Sequence, residues 1–401
     1  MFQSLCILGR QPALGLAELE SLYGAGRLQS VGSQAVLLDA RPAEVPFAYL
    51  GGTIKFCKVL TELNSTKWPD VHKFLMDAIP NHAASLPEGK LRLGLSAYNI
   101  SVESRQITGT GLELKKLLKK EGRPVRVVPN VEPVLNSAQV LHNQLTAELG
   151  WELLFIKNGS KTIVAQTIAV QDIEAYARRD QGRPKRDAKV GMLPPKLAQI
   201  IINLATGAAL PPGCGPDHPI DKTILDPFCG TGVVLQEALL MGYNVAGTDL
   251  DSRMVEYSKI NLDWLRTDFQ LSANRYQLET GDATTHQWKG GFDTVASEAY
   301  LGRPFTSPPT GKILEQTIQE VNTITKKFLQ NLARQTKPGI RLCLALPAWS
   351  EHNTFKNLPL LANLEELGYN RVSFVHAERK DLIYHRPSQI VGRELVTLIR
   401  N

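Results

Sequence analysis

The chain has no CxxC pair, and its five cysteines (Cys6, Cys57, Cys214, Cys229 and Cys343) are scattered and odd in number. That spacing argues against both a zinc site and a disulfide framework and fits a reducing compartment. No apolar run approaches the length of a membrane span, and the opening MFQSLCILGRQPALG has neither a basic leader nor a cleavage pattern. A soluble, cytoplasmic protein is expected, with no membrane and no metal. His72 and His82 have no ligand-spaced neighbours and read as surface or cap residues. A strong charge bias is missing too: the net charge is only +6. Its distribution is uneven, however, with 25 Lys/Arg against 18 Asp/Glu in residues 1–200 and 20 against 21 in the remainder. The first half is expected to hold a polyanion and the second half to carry out the chemistry.

The most informative stretch runs from Thr223 to Asp251, TILDPFCGTGVVLQEALLMGYNVAGTDLD. It reads as strand (223–225), glycine turn (226–232), helix (233–241) and strand (243–247), which is half of a doubly wound α/β fold. Ligands of such folds bind beyond the carboxyl ends of the strands, facing backbone N–H groups and a helix N-terminus. Gly230 and Gly232 allow close approach, and Asp249, ending the second strand, is placed to take the two hydroxyls of a ribose. The turn lacks the third glycine of the dinucleotide fingerprint and any Lys-Ser/Thr pair, which argues against a P-loop.

The full string DPFCGTG resembles the S-adenosylmethionine (SAM) site of Rossmann-like methyltransferases, particularly those acting on exocyclic amines of nucleobases. The resemblance implies that Asp226 holds the methionine amino group and that Gly230 and Gly232 line its passage. It implies that Asp249 binds the ribose and Asp282 of GDAT the adenine amino group. Phe228, Leu250 and Ala283 are included among the cofactor-binding positions, and Cys229 reads as a packing residue. Amino-methyltransferases carry a D/N-P-P-Y/F turn after the fourth strand, and this chain has FDTVASEAYLG instead. The preferred register puts Glu298 at the acidic position and Gly302 over the following glycine; the alternative puts Ser297 there and Tyr300 at the stacking position. Glu298 is expected to position the amine and accept its proton, with Tyr300 stacking on a flipped base. None of the cysteines has a partner base, so direct in-line transfer is expected rather than a covalent intermediate.

Taken in order, 1–75 alternates strands and helices (SLCILG, PALGLAELESLYG, AVLLD) and reads as a ferredoxin-like α+β module. Residues 76–170 contain the strand LRLGLSAY and a helix at 110–121. Leu112, Leu114, Leu117 and Leu118 supply the helix's apolar side, and Lys115, Lys116, Lys119 and Lys120 its basic side. The segment LNSAQVLHNQL, with Asn136, Ser137 and Gln139, resembles the core of THUMP domains, which are RNA-binding modules; His142 reads as a helix cap. A basic linker follows (171–192), with Arg178, Arg179, Arg183, Lys185, Arg186 and Lys189 inside twelve residues. The string ARRDQGRPKRDAKVGMLPPKLAQIIINLA resembles the entry to the catalytic domain of THUMP-containing tRNA guanine-N2-methyltransferases acting on guanosine 10. These lysines and arginines are then expected to contact RNA phosphates.

Residues 193–401 are read as the methyltransferase domain. A helix is expected at 195–205, a loop at 206–222, a long helix at 313–335 and the strand RLCLALPAW. Another helix is expected around 360–367, with closing strands VSFVHAERK and RELVTLIR. Arg386 and Arg393 flank the loop YHRPSQIVG; solvent exposure is the simple reading and a base or phosphate contact the bolder one. The fold expected is α/β, a Rossmann-like class I methyltransferase domain preceded by an α+β ferredoxin-like/THUMP half. The function implied is a SAM-dependent tRNA methyltransferase; its oligomeric state, a monomer among the options, is left open, as is an activating partner protein, which some relatives require. The absent D/N-P-P-Y turn keeps two alternatives in play: an amino-methyltransferase of rRNA or DNA, and a SAM- and RNA-binding protein with impaired turnover.

Overall fold

The computed structural model describes residues 2–401 apart from 188–191, 212, 216–217, 272–274, 306, 352–353 and 388. Two compact units divide the chain, and the division is not a single cut: Met1–Pro12, Gly26–Ala48 and Thr53–Ile173 form the first, while Ala13–Ala25, Tyr49–Gly52 and Glu174–Asn401 form the second. Helix α1 (Pro12–Tyr23) is therefore almost wholly part of the second unit.

The first unit is built on one eight-stranded sheet. Its strands are β1 (Ser4–Leu8), β2 (Leu28–Val31), β3 (Ala35–Leu38), β4 (Thr53–Leu63), β5 (Leu91–Tyr98), β6 (Val125–Val127), β7 (Gly150–Asn158) and β8 (Lys161–Val170), in the order β2-β3-β1-β4-β8-β7-β5-β6. The long β4 pairs with β1 on one edge and β8 on the other, so the segments before and after residue 75 share a single sheet. Helices α2 (Trp68–Ala84) and α3 (Ser104–Lys120) pack on it through Val71, Leu75, Ile107, Leu114 and Leu118. Helix α3 begins six residues before the start read from sequence, because Gln106 caps the Glu103 N–H and opens the helix there. Its buried stripe of Ile107, Gly111, Leu114 and Leu118 leaves Leu112 exposed, contrary to its expected place on the apolar side. Asn136 and Gln139 cap each other's N–H groups at the start of α4 (Ser137–His142), and His142 lies in its last turn.

In the second unit the elements are α5 (Ile173–Gln181), α6 (Pro195–Thr206), β9 (Thr223–Asp226), α7 (Val233–Leu240), β10 (Asn244–Asp249), α8 (Ser252–Asp268), β11 (Tyr276–Thr280), β12 (Thr294–Glu298), α9 (Gly311–Gln335), β13 (Arg341–Glu351), β14 (Thr354–Lys356), β15 (Tyr369–Arg371), β16 (Ile383–Tyr384) and β17 (Val391–Arg400). The sheet order is β11-β10-β9-β12-β13-β17-β15, parallel from β11 to β13, with β17 antiparallel to both of its neighbours. Alternate residues enter opposite cores. Ile224, Ala296, Cys343 and Ala345 pack with α6 and α7, while Leu225, Val295, Leu342 and Leu344 pack with Phe328, Leu329 and Leu332 of α9. The strand order reverses between β9 and β12, creating the crevice in which α/β sheets bind ligands. No helix among the described residues is long and apolar enough to cross a membrane.

Two elements differ from the expectation. Around 360–367 there are two short 3-10 turns, Pro359–Ala362 and Glu365–Leu367, because Gly368 in the left-handed region ends the second one. The segment VSFVHAERK is not a strand: Glu20 of α1 accepts the N–H groups of Val375 and His376 at 2.6 and 2.8 Å, so they are lost to a sheet ladder, and Val375 is 77% exposed.

Candidate active site

The turn after β9 is fastened to its neighbours by its own backbone. Cys229 N–H donates to the Thr248 carbonyl at 2.9 Å, and Thr248 Oγ1 donates to the Pro227 carbonyl at 3.2 Å. Ser258 and Asn261 of α8 donate to the carbonyls of Gly230 and Thr231 at 2.8 and 2.9 Å. Gly230 and Gly232 take φ of 51° and 83°. A Cβ on Gly232 would stand 2.9 Å from Ser258 Oγ. Gly232→Ala is therefore expected to cost about 1–2 kcal/mol through the left-handed backbone alone and to weaken SAM binding. Calorimetry of unfolding and of SAM titration checks both.

Three carboxylates close in on this turn from the ends of three adjacent strands. Asp226 ends β9, is buried, and accepts the Phe228 N–H at 3.2 Å and the Ser297 hydroxyl at 2.6 Å. Burial pushes its carboxyl up to about 7; the two hydrogen bonds oppose the rise, and the charges of Asp249 and Glu298 add to it. Asp249 ends β10 and accepts the N–H groups of Gly230 and Asp251, each at 2.9 Å; burial raises it above the usual carboxylate range. Glu298 ends β12, opposite Ala345 of β13, and its Oε1 accepts from Nε of Arg393.

The other positions named from sequence fall around these. Leu250, after Asp249, presents an apolar side chain that is 73% exposed. Asp282 holds its own turn through the N–H and hydroxyl of Thr284, both at 2.8 Å, and Ala283 is buried. Phe228 packs edge-on against Phe328 with ring centroids 5.1 Å apart. Cys229 is buried in the core, where desolvation holds its thiol well above the ordinary value. Tyr300 is exposed at the mouth of the turn, its hydroxyl 3.3 Å from Glu320. Gly302 takes a φ of 85° against Thr317 of α9. A buried carboxylate suited to an ammonium, a second suited to a diol and a turn with no room for Cβ together fit SAM.

The basic residues separate into two kinds. Lys116, Lys119 and Lys120 are exposed on α3 and Lys115 is half-buried. Arg178 is exposed and pairs with Asp268 at 2.6 Å, Lys185 lies over the Tyr257 ring at 5.3 Å, and Arg186 is exposed. Arg179 and Arg183 do not offer the RNA contacts expected of them. Arg179 turns inward to Glu237 at 2.7 Å, in a network with Gln199 and Tyr176, and Arg183 is buried, which lowers its affinity for a proton. Lys189 lies outside the described residues. Sequence reasoning missed the Ser297 hydrogen bond to Asp226 and the Asn261 amide that anchors the linker backbone at Lys185. It also weighed only solvent exposure or a base or phosphate contact for Arg393, whereas Arg393 is only 5% exposed and donates to Glu298. Nothing local in the sequence marks these three.

Residues 185–376 match the UPF0020 family, described as RMKL-like, methyltransferase domain. The tRNA (guanine(10)-N2)-dimethyltransferase of Methanothermobacter thermautotrophicus is 31% identical over 188 residues, 46% of this chain and 47% of that protein. The protein of the same name from Pyrococcus abyssi is 35% identical over 123 residues, 30% of this chain and 29% of that one. The chain thus spans less than half the length of these relatives. The crystal structure of TrmN from Thermus thermophilus shares the fold over 100% of both chains, with a TM-score of 0.51 and 16% identity. Over residues 185–376 the second unit is thus similar to the RMKL-like methyltransferase domain and, within that stretch, to tRNA (guanine(10)-N2)-dimethyltransferases, and its sheet has the Rossmann-like strand order.

Proposed function

We propose that this protein is a cytoplasmic tRNA guanine-N2-methyltransferase, acting at position 10 as the names of its relatives indicate, and that Glu298 receives the target amine. The observation that carries the chemistry is the convergence of Asp226, Asp249 and Glu298 at the ends of three neighbouring parallel strands. Asp226 would hold the amino group of SAM, Asp249 its ribose, and Leu250 and Ala283 the flanks of its adenine, with Asp282 at the edge. Bound SAM supplies an electrophilic methyl group. The exocyclic amine of guanine is a poor nucleophile, because its lone pair is delocalised into the ring. A carboxylate oxygen accepting an N–H from that amine raises electron density on nitrogen and fixes its approach. Ser297, the alternative for this role, is fully buried and already donates to Asp226, which favours Glu298. Tyr300, exposed at the same turn, is suited to stack on an extruded base. The lysines of α3 and the exposed Arg178 and Arg186 supply charge for phosphates, and the THUMP-like half is the proposed tRNA grip.

Methyl transfer from labelled SAM to unmodified tRNA, rRNA and DNA, followed by nucleoside analysis, tests the reading. N2-methylated guanosine in tRNA is expected from the wild type, and Glu298→Gln is expected to lower the rate by about 100-fold or more while SAM still binds. Methylation of rRNA or DNA in place of tRNA, or binding of SAM and tRNA without turnover, would move the protein to another class.

A further inference from the structure

The replacement of D/N-P-P-Y by E-A-Y-L leaves the acidic side chain one methylene longer and without two prolines to stiffen its turn. The sheet shows what the extra length reaches. Glu298 lies opposite Ala345 of β13, and Arg393 of β17 lies opposite Pro347 on the other side of that strand. Positions 345 and 347 are two residues apart, so both side chains emerge on one face, from strands separated by about 9–10 Å. Only two long side chains can close such a gap, and Glu298 and Arg393 do so. The guanidinium is 5% exposed, so this pair is not a casual surface contact.

We propose that Arg393 is the positioning residue for Glu298, holding Oε1 so that Oε2 faces the target amine, and that this clamp takes over the ordering done elsewhere by the two prolines. The inference rests on the methyltransferase reading above. Oε2 accepts no hydrogen bond among the described residues, so one oxygen is held and the other is free for substrate. A glutamate with a freely turning carboxylate would present that oxygen in many directions; the charge-assisted Nε–H contact from Arg393 restricts this freedom at the end farthest from the backbone.

The test is a double-mutant cycle on single-turnover methyl transfer to tRNA, with SAM and tRNA affinities measured beside it. Arg393→Gln should slow transfer by about 10- to 100-fold and leave both affinities within about threefold. In the Glu298→Gln background the same change should alter the rate by less than about twofold. Arg393→Lys, which keeps the charge but lacks the Nε–H that meets Oε1, should recover only part of the rate. If Arg393→Gln alone folds poorly, Arg393→Lys, which keeps the buried charge, takes its place in both backgrounds. Full activity in Arg393→Gln, or an equal loss in both backgrounds, overturns the proposal while the methyltransferase reading stands. A wild type that binds SAM and tRNA but methylates no nucleic acid overturns that reading and the proposal with it.

Discussion

Asp226→Asn is expected to abolish SAM binding and, above neutral pH, to make the protein harder to unfold. The binding loss follows from charge: a buried carboxylate is the natural partner of an ammonium group, and an amide presents a neutral oxygen instead. The stability gain follows from linkage. Burial raises the folded-state carboxyl from 3.8 to about 7, so the folded protein holds a proton that the unfolded chain releases. The contribution is therefore fully present below 3.8 and lost as pH rises through about 7, so the ionised wild type bears a penalty of up to about 4 kcal/mol at pH 8. Asparagine never ionises, and its side-chain oxygen can still accept the Phe228 N–H and the Ser297 hydroxyl, both of which go to Oδ1 in the wild type. Unfolding measured at pH 5 and pH 8 should show the mutant's advantage growing with pH and largest at the higher value. In the wild type the same titration should weaken SAM binding as pH falls below about 7. An aspartate kept at a cost to the fold is what a binding site for a cation requires.

What could be read from sequence was mostly what neighbours in sequence determine. The turn DPFCGTG, the strand before it and the helix after it lie within thirty residues, and their hydrogen bonds to β10 follow from one βαβ step. Arg179 and Arg183 read as charge available for RNA phosphates because the acid that draws Arg179 inward, Glu237, is 58 positions away. The clamp on Glu298 spans 95 positions and joins strands that are not adjacent in the sheet. VSFVHAERK has the apolar alternation of a strand, but a carboxylate 355 positions earlier takes its N–H group. In each case a side-chain hydrogen bond from a distant element overrode a sound local pattern.

That carboxylate belongs to α1, and so does a second one on which the second unit depends for stability. Glu18 is fully buried and accepts three N–H groups: Gly51 at 2.9 Å, Gly52 at 2.8 Å and the Asn203 amide of α6 at 2.7 Å. Removing it takes a buried acceptor from the N–H groups of Gly51 and Gly52 and one of two acceptors from the Asn203 amide. Gly51 and Gly52 are also pressed so close to Lys196 and Gly15 that a Cβ on either would meet backbone at 2.0 and 2.4 Å. Glu18→Ala is thus expected to cost about 2–3 kcal/mol through three lost hydrogen bonds to a buried carboxylate, and to lower the melting temperature of the second unit by roughly 5–10 °C. The sign of the pH dependence follows from burial, which raises the Glu18 carboxyl from 4.5 to about 7 against the pull of its three hydrogen bonds. The wild type's advantage is fully present below 4.5 and declines as pH rises through 7, so the gap between wild type and mutant should narrow by pH 8. Thermal unfolding at pH 6 and pH 8 checks both size and direction. The same geometry predicts that a fragment beginning at residue 174 will not form a stable methyltransferase unit. Leu14 and Ala17 of α1 belong to the core built on α6 and α7, and without residues 13–25 and 49–52 that apolar face is bare and Asn203 loses its acceptors Glu18 and the Tyr49 carbonyl. Expressed alone, the fragment should aggregate or lack a cooperative transition. Full SAM affinity and a sharp melt from it would show that α1 is dispensable to the unit it packs in.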